Sequence, residues 1–383
     1  MSIKQDVATG SSTLKPAALS VIDCDVHPIV PGGLGRIFPY LSSSWRQRFE
    51  PMKSGEITNI PLGRSTHFAG AGASRTDAIP PSGGPAGSDP EFMRKHYLDA
   101  HNVEIALLLS IQASRVDTWL YADDAAAVAA GYNDLIAKEW LATDPRFRMA
   151  MVVAPQDGNL GAAEIRRFGK TRGVVGVWIP LTNTLLGDRH FYPIYEAALE
   201  AGLPIIVHTN GSQGDFVGSP AFAGGNPSSK PEKHSVLFEL GMSNLASLIF
   251  EGVFERFKGL KVLLAENGWT WIAPLMWRMD ATWKSGRTAV PWVQKAPSRY
   301  VLENVRFTTQ PALEVPNDRY LTQILDMISG ADTLLFSSDY PHWDADDPDF
   351  PFRNLPADVR RKIFRDNAIE FFGSDLLGVK SKS

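Results

Sequence analysis

"VIDCDVHPIV", residues 21–30, places Asp23, Asp25 and His27 at alternate positions of a β-branched, apolar run. On an extended strand alternate side chains share a face. Three polar groups on one face therefore mark either a metal site or a hydrogen-bonded strand end.

Seven more runs of this kind follow: EIALLL (104–109), MAMVVA (149–154), GVVGVWI (173–179), PIIVH (204–208), KVLLAE (261–266), NVRFTT (304–309) and TLLFSSD (333–339). Most are nearly continuous apolar stretches, as parallel strands buried on both faces require. Helical patterns separate them, at 89–102, 123–144, 159–170, 191–202, 233–257, 271–284, 318–329 and 357–373. Strict alternation of eight strands with eight helices predicts an α/β fold, a (β/α)8 TIM barrel. A doubly wound open sheet is the alternative, but eight units exceed what such a sheet usually holds.

One connection breaks the rhythm. About sixty residues, 28–88, separate the first strand from its helix, where two to six are usual. This insertion carries Arg64, His67 and Arg75 and is rich in Gly, Pro and Ser over 61–90. It reads as a lid or subunit contact over the barrel mouth, or as a surface excursion. Residues 1–20 read as a disordered tail, 21–375 as one barrel domain and 376–383 as a C-terminal tail.

Bulk properties narrow the function. The chain has 383 residues, 44% hydrophobic and 21% charged, with a net charge of −4. That gives no basic field for nucleic acid or anionic membrane. No apolar run is long enough to span a bilayer, and the N-terminus lacks a signal peptide's apolar core. The single cysteine, Cys24, forms no internal disulfide and suits a reducing compartment. A cytoplasmic enzyme acting on a small molecule is expected.

Catalytic groups of a (β/α)8 barrel sit at the carboxyl ends of the strands. Strand 1 ends in Asp25 and His27, strand 5 in His208, strand 6 in Glu266 and strand 8 in Asp339. Each alone is a weak signal, since a strand-end histidine or aspartate often caps or packs. Together they supply two imidazoles and two or three carboxylates. Such a mixed set suits Zn²⁺, Mn²⁺, Fe²⁺ or Co²⁺. Asp23 is expected one layer lower or on a neighbouring loop, not as a ligand.

"VIDCDVHP", "FMRKHYLDAHNVEIALLL", "LPIIVHTNG", "LLAENGWTWIAPLMWRMD", "FSSDYPHWD" and "DNAIEFFG" together resemble the amidohydrolase superfamily. The branch resembled is amidohydrolase-2, or aminocarboxymuconate-semialdehyde-decarboxylase-like, from Val21 to about Gly373. The resemblance implies metal ligands Asp25, His27, His208 and Asp339 and a homodimer or homotetramer. It implies one divalent ion, zinc foremost, because strand 4 offers no lysine to bridge two metals. Two positions depart from the pattern. Asp25 stands where His or Glu is commoner, and Glu266 stands where many relatives carry His.

Both reactions known for this site type are open. Hydrolysis on a small cyclic or aromatic substrate would use a water activated by the ion and Asp339. Non-oxidative decarboxylation of an aromatic or conjugated acid would use Asp339 to deliver a proton to carbon. Glu266 tilts the sequence reading to hydrolysis, because a second carboxylate repels an acidic substrate unless protonated. A barrel that has lost catalysis and only binds a small molecule is the third reading. Glu266 is a candidate acid/base, or a partner of the metal ligands. His342 is a candidate for orienting Asp339, touching substrate or shaping a turn. Candidate substrate contacts are Trp178, Asn210, Trp269, Arg64 and His67, with Trp271 also near Glu266.

Overall fold

The structure is a computed structural model that describes residues 19–55, 74–209, 225, 227, 229–312, 315–348 and 350–378. Eight parallel strands follow one another in sequence order around a barrel. They are β1 (Val21–Val26), β2 (Val103–Leu108), β3 (Phe147–Val152), β4 (Val174–Trp178), β5 (Ile205–His208), β6 (Val262–Ala265), β7 (Val305–Thr308) and β8 (Leu334–Leu335). Nearly every strand residue is buried, which is why the runs read as continuously apolar.

Regular pairing in β8 lasts only two residues, although the apolar run is longer. Side chains and the first strand take over the ladder beyond it. The Ser337 N–H donates to Thr309 Oγ1, Ser338 N–H to Asp23 Oδ1 and Asp339 N–H to the Asp25 carbonyl. The Cys24 N–H donates to Phe336 O at 2.9 Å and His27 N–H to Tyr340 O at 2.7 Å. These bonds join the first strand to the last and close the barrel.

Asp23 organises that seam. Oδ1 accepts from the backbone N–H of Asp25 and of Ser338, and Oδ2 from Tyr97 Oη and Ser338 Oγ, at 2.5–3.1 Å. Burial drives its pKa up, the four donors pull it back, and the result is about 7. Its role is the hydrogen-bonded one, as expected from its place below Asp25.

Helices pack outside the strands. Asp157 caps Gly158–Phe168 and Asn317 caps Asp318–Ile328, each by accepting backbone N–H bonds. The expected helix at 89–102 is Pro90–Met93, continued by a wider turn over Arg94–Leu98. The expected helix at 233–257 breaks into Lys230–Val236, Phe238–Phe250 and Val253–Arg256. Gly252, at φ 74°, makes the second break. A further helix, Pro297–Asn304, lies between β6 and β7, with Pro297 in its first turn. No helix among the described residues is long and apolar enough to cross a membrane.

The return end of the insertion lies on the barrel mouth. The Arg75 N–H donates to Pro341 O, Ser74 bridges His342, and the Ile29 N–H donates to Gly87 O. A Cβ on Gly87 would stand 2.8 Å from the His27 carbonyl and 2.9 Å from Pro341, so this chain passes directly over the ends of β1 and β8. Arg64 and His67 lie outside the described residues.

Inside the barrel, Gly176 of β4 makes room for Ile206 of β5, since its Cβ would meet Ile206 Cδ1 at 2.7 Å. Gly176→Val is expected to cost about 1–3 kcal/mol of stability by overpacking. Chemical denaturation measures the loss. Adding Ile206→Ala should recover part of it, and strictly additive losses would refute the contact.

Candidate metal centre

Asp25 and His27 from the end of β1, His208 from the end of β5 and Asp339 beyond β8 converge above the barrel core. Each offers one ligand atom within 4.8 Å of the others, and all four are buried. His27 Nε2 is 2.6 Å from Asp339 Oδ1 and 3.3 Å from Asp25 Oδ1. His208 Nε2 is 3.1 Å from Asp25 Oδ2.

Outer hydrogen bonds aim the imidazoles. His27 Nδ1 is 2.7 Å from the Leu109 carbonyl, and His208 Nδ1 faces the Thr209 carbonyl. A carbonyl only accepts, so each Nδ1 carries a proton and each Nε2 is turned inward toward the carboxylates.

The residues fit a divalent cation. Asp25 Oδ1 and Asp339 Oδ2 are buried without a hydrogen-bond partner. A buried carboxylate oxygen left bare is costly unless a cation meets it. The site also draws positive charge: burial lowers the proton affinity of His208, yet Asp25, Glu266 and Asp339 raise its pKa to about 9. Two imidazole nitrogens and two carboxylates form the donor set of a single divalent metal site.

Asp339 and Glu266 both sit at left-handed backbone positions, φ 63° and 50°. Non-glycine residues seldom adopt these, and such strain gathers at functional sites. Here it turns each side chain from the strand direction into the mouth. Burial would raise the Asp339 carboxyl, but the imidazoles of His342 and His27 outweigh it and hold it below the usual carboxylate range.

Two side chains face the open side. Glu266 is 12% and His342 25% exposed, against 0–1% for the four candidate ligands. The Glu266 N–H donates to Thr308 Oγ1; its Oε2 accepts from Thr209 Oγ1 at 3.4 Å and lies 3.4 Å from His208 Nε2. Burial, then the Asp339 charge, pushes the Glu266 carboxyl well above its ordinary value. That favours the neutral form, which does not repel an acidic substrate. His342 Nδ1 is 2.8 Å from Asp339 Oδ1.

The expected aromatic contacts divide. Trp178 is buried with its ring 5.1 Å from that of His208. Trp269 does not line the mouth: it is fully buried, its Nε1–H donates to Thr309 O, and its ring packs on Phe352. The indole of Trp271 likewise donates to Asn267 O. Asn210, Arg64 and His67 lie outside the described residues. Sequence reasoning passed over His234 and Asp344, 3.5 Å apart at the mouth, with Gln310 Nε2 donating to the Asp344 carbonyl. The available signal was the acidic run directly after "SSDYPHW".

Known proteins share this arrangement of chain. An amidohydrolase family model (amidohydrolase-2) matches residues 22–374. A gamma-resorcylate decarboxylase from Polaromonas sp. (strain JS666 / ATCC BAA-500) is 26% identical over 302 residues, 74% of this chain and 87% of that protein. The 5-carboxyvanillate decarboxylase of Novosphingobium aromaticivorans, solved with manganese and 4-hydroxy-3-methoxy-5-nitrobenzoic acid, superposes with TM-score 0.65 at 22% identity, covering 97% of this chain and 99% of that one. A dihydroxybenzoic acid decarboxylase from Polaromonas sp. JS666, solved with manganese and 2-nitroresorcinol, gives 0.61 at 19% identity, covering 92% and 96%. At such identities the two structures speak for the shared barrel. The family match spans nearly the whole chain, and the chain belongs to the amidohydrolase family, in its amidohydrolase-2 branch.

Proposed function

We propose that this protein is a metal-dependent, non-oxidative decarboxylase of a hydroxylated aromatic acid. The observation that carries the reading is the likeness to gamma-resorcylate decarboxylases over about three quarters of the chain. It favours decarboxylation over hydrolysis, against the tilt that Glu266 gave to the sequence reading. Manganese becomes the first candidate metal, ahead of zinc, because it accompanies the aromatic ligands in the two neighbours described above.

Asp25, His27, His208 and Asp339 would hold the ion. When bound, it supplies the positive charge that an aromatic carboxylate needs beside several acidic side chains. The rest of the chemistry falls to side chains. Breaking the bond between ring carbon and carboxylate leaves an electron pair on that carbon, which must take up a proton. The proton rests on His342, where the Asp339 charge outweighs burial and raises the imidazole pKa; it reaches the carbon through Asp339, and His342 takes up another from the open side. The pair suits this transfer, because Asp339 is shut from water while His342 is a quarter exposed and hydrogen-bonded to it. Net, the acid gains a ring C–H, loses its C–C bond and releases CO2. Glu266, on the open side beside His208, orients the substrate through its carboxyl group.

The direct test is CO2 release from a panel including 2,6-dihydroxybenzoate and 5-carboxyvanillate. Cleavage of esters or amides with no CO2 from any acid would favour the hydrolase instead. Elemental analysis after dialysis should find about one transition-metal ion per chain, falling at least tenfold in Asp25→Ala. A metal content unchanged by that substitution would reject Asp25 as a ligand. Asp339→Asn should abolish turnover while circular dichroism and melting stay close to wild type. Retained activity would rule out its proton-transfer role. Glu266→Gln should lower kcat by about 10²-fold if the carboxyl acts in the reaction. A change under twofold would leave it a mere neighbour of the ligands.

A further inference from the structure

Trp178 closes β4, and its indole N–H is unlike those of its neighbours. The buried indoles of Trp269, Trp271 and Trp283 each donate to a backbone carbonyl, those of Thr309, Asn267 and Val293. Trp178 is 0% exposed, yet its Nε1 has no hydrogen-bond partner among the described residues. A donor sealed in protein without an acceptor is uncommon and costly.

Its position says what the acceptor is for. Trp178 pairs in register with Ile206 of β5, and His208 follows two residues later on the same face. Trp178 thus shares the barrel interior with a metal ligand, its ring 5.1 Å from the His208 ring and tilted by 49°. Two other bare buried polar atoms, Asp25 Oδ1 and Asp339 Oδ2, belong to the metal site itself. Those two are acceptors that call for a cation. Trp178 Nε1 is a donor and cannot bind a cation, so it calls for something else: an electron-rich oxygen brought by the substrate.

We infer that Trp178 is a substrate-positioning residue whose N–H binds an oxygen of the aromatic acid beside His208. The choice of a hydroxybenzoate as the acid rests on the decarboxylase reading. Indole nitrogen only donates, so the site discriminates by chemistry. It accepts a carboxylate, phenolate or nitro oxygen and rejects an amino group at the same place. The indole also packs against His208, so the bound oxygen is fixed relative to the metal ligand.

The test uses the full chain loaded with zinc, which is diamagnetic, and labelled with ¹⁵N-tryptophan. The probes are 2-nitroresorcinol and 4-hydroxy-3-methoxy-5-nitrobenzoate, which carry a nitro group in place of a carboxylate. The Trp178 indole signal, assigned by its loss in Trp178→Phe, should move downfield on saturation by more than any other indole signal. Calorimetry should show the probe binding about tenfold or more weakly to Trp178→Phe, the usual scale for a lost bond to a charged or strongly polar oxygen. If the phenylalanine variant folds poorly, replacing Trp178 by 3-benzothienylalanine removes the N–H while keeping the bicyclic shape, and also assigns the signal. An indole signal that stays put, affinities within twofold, or no binding of either probe to wild type would each overturn the assignment. Probe binding with the indole shift but no CO2 from any acid keeps Trp178 in its role and rejects the decarboxylase reading.

Discussion

The Asp23 carboxylate is the interaction on which the rest of the site depends. Its four hydrogen bonds tie the backbone of Asp25 to that of Ser338, one residue before Asp339. The candidate metal ligands come here from opposite ends of the chain, and this side chain, with the backbone bonds Cys24–Phe336, Asp339–Asp25 and His27–Tyr340, sets their separation. Without such a clasp the last strand would be poorly held, because only Leu334 and Leu335 pair in a regular way. At the seam side-chain hydrogen bonds supplement a sparse set of backbone ones. That freedom allows the strained turn at Asp339 to aim its carboxylate inward.

Much of this was legible in the sequence, for a physical reason. Parallel strands buried on both faces are apolar throughout, so a charged residue ending one stands out. Asp25, His27, His208, Glu266 and Asp339 were all found in that way, and all five meet at one mouth. What stayed hidden depends on contacts between distant segments. The pairing of His234 with Asp344 joins the helix after β5 to the loop after β8, and no spacing encodes it. Trp269 looked like a mouth residue because it follows Glu266 by three positions. The left-handed turn at Glu266 sends the following chain outward instead, and the indole packs under Phe352. The short β8 was equally unreadable, since Ser337 and Ser338 look like strand but spend their hydrogen bonds on Thr309, Gln310, Asp23 and Tyr340.

The site divides by exposure. The four candidate ligands are sealed and held by bonds to backbone carbonyls or to one another, which suits groups that must keep a fixed geometry. Glu266 and His342 keep a face to the open side. Around them stand elements from the loops: the insertion's return through Ser74 and Arg75, the His342–Asp344 turn, and the helix carrying His234. Loops on a rigid barrel carry specificity in this architecture. Asp344 extends the acidic character of the rim: burial and the charge of Asp339 raise its carboxyl, and His234 counters them. The carboxyl groups of the rim are thus biased toward their neutral forms or paired with imidazole.

Asp25 is the remaining question that the family pattern poses, since a shorter carboxylate stands where His or Glu is commoner. Reach is the physical issue, because a side chain one methylene shorter than Glu leaves its oxygens about 1.5 Å nearer the strand. The strand is irregular at this point. The pairing of β1 with β2 slips in register between Asp23 and Val26, so Asp25 sits within an irregularity rather than in a flat ladder. From there its two oxygens reach both imidazoles, Oδ1 toward His27 and Oδ2 toward His208. The bond from the Asp25 N–H to Asp23 Oδ1 holds the residue at that point. The backbone of β1, fixed by Asp23 beneath it, places those two oxygens between the imidazoles.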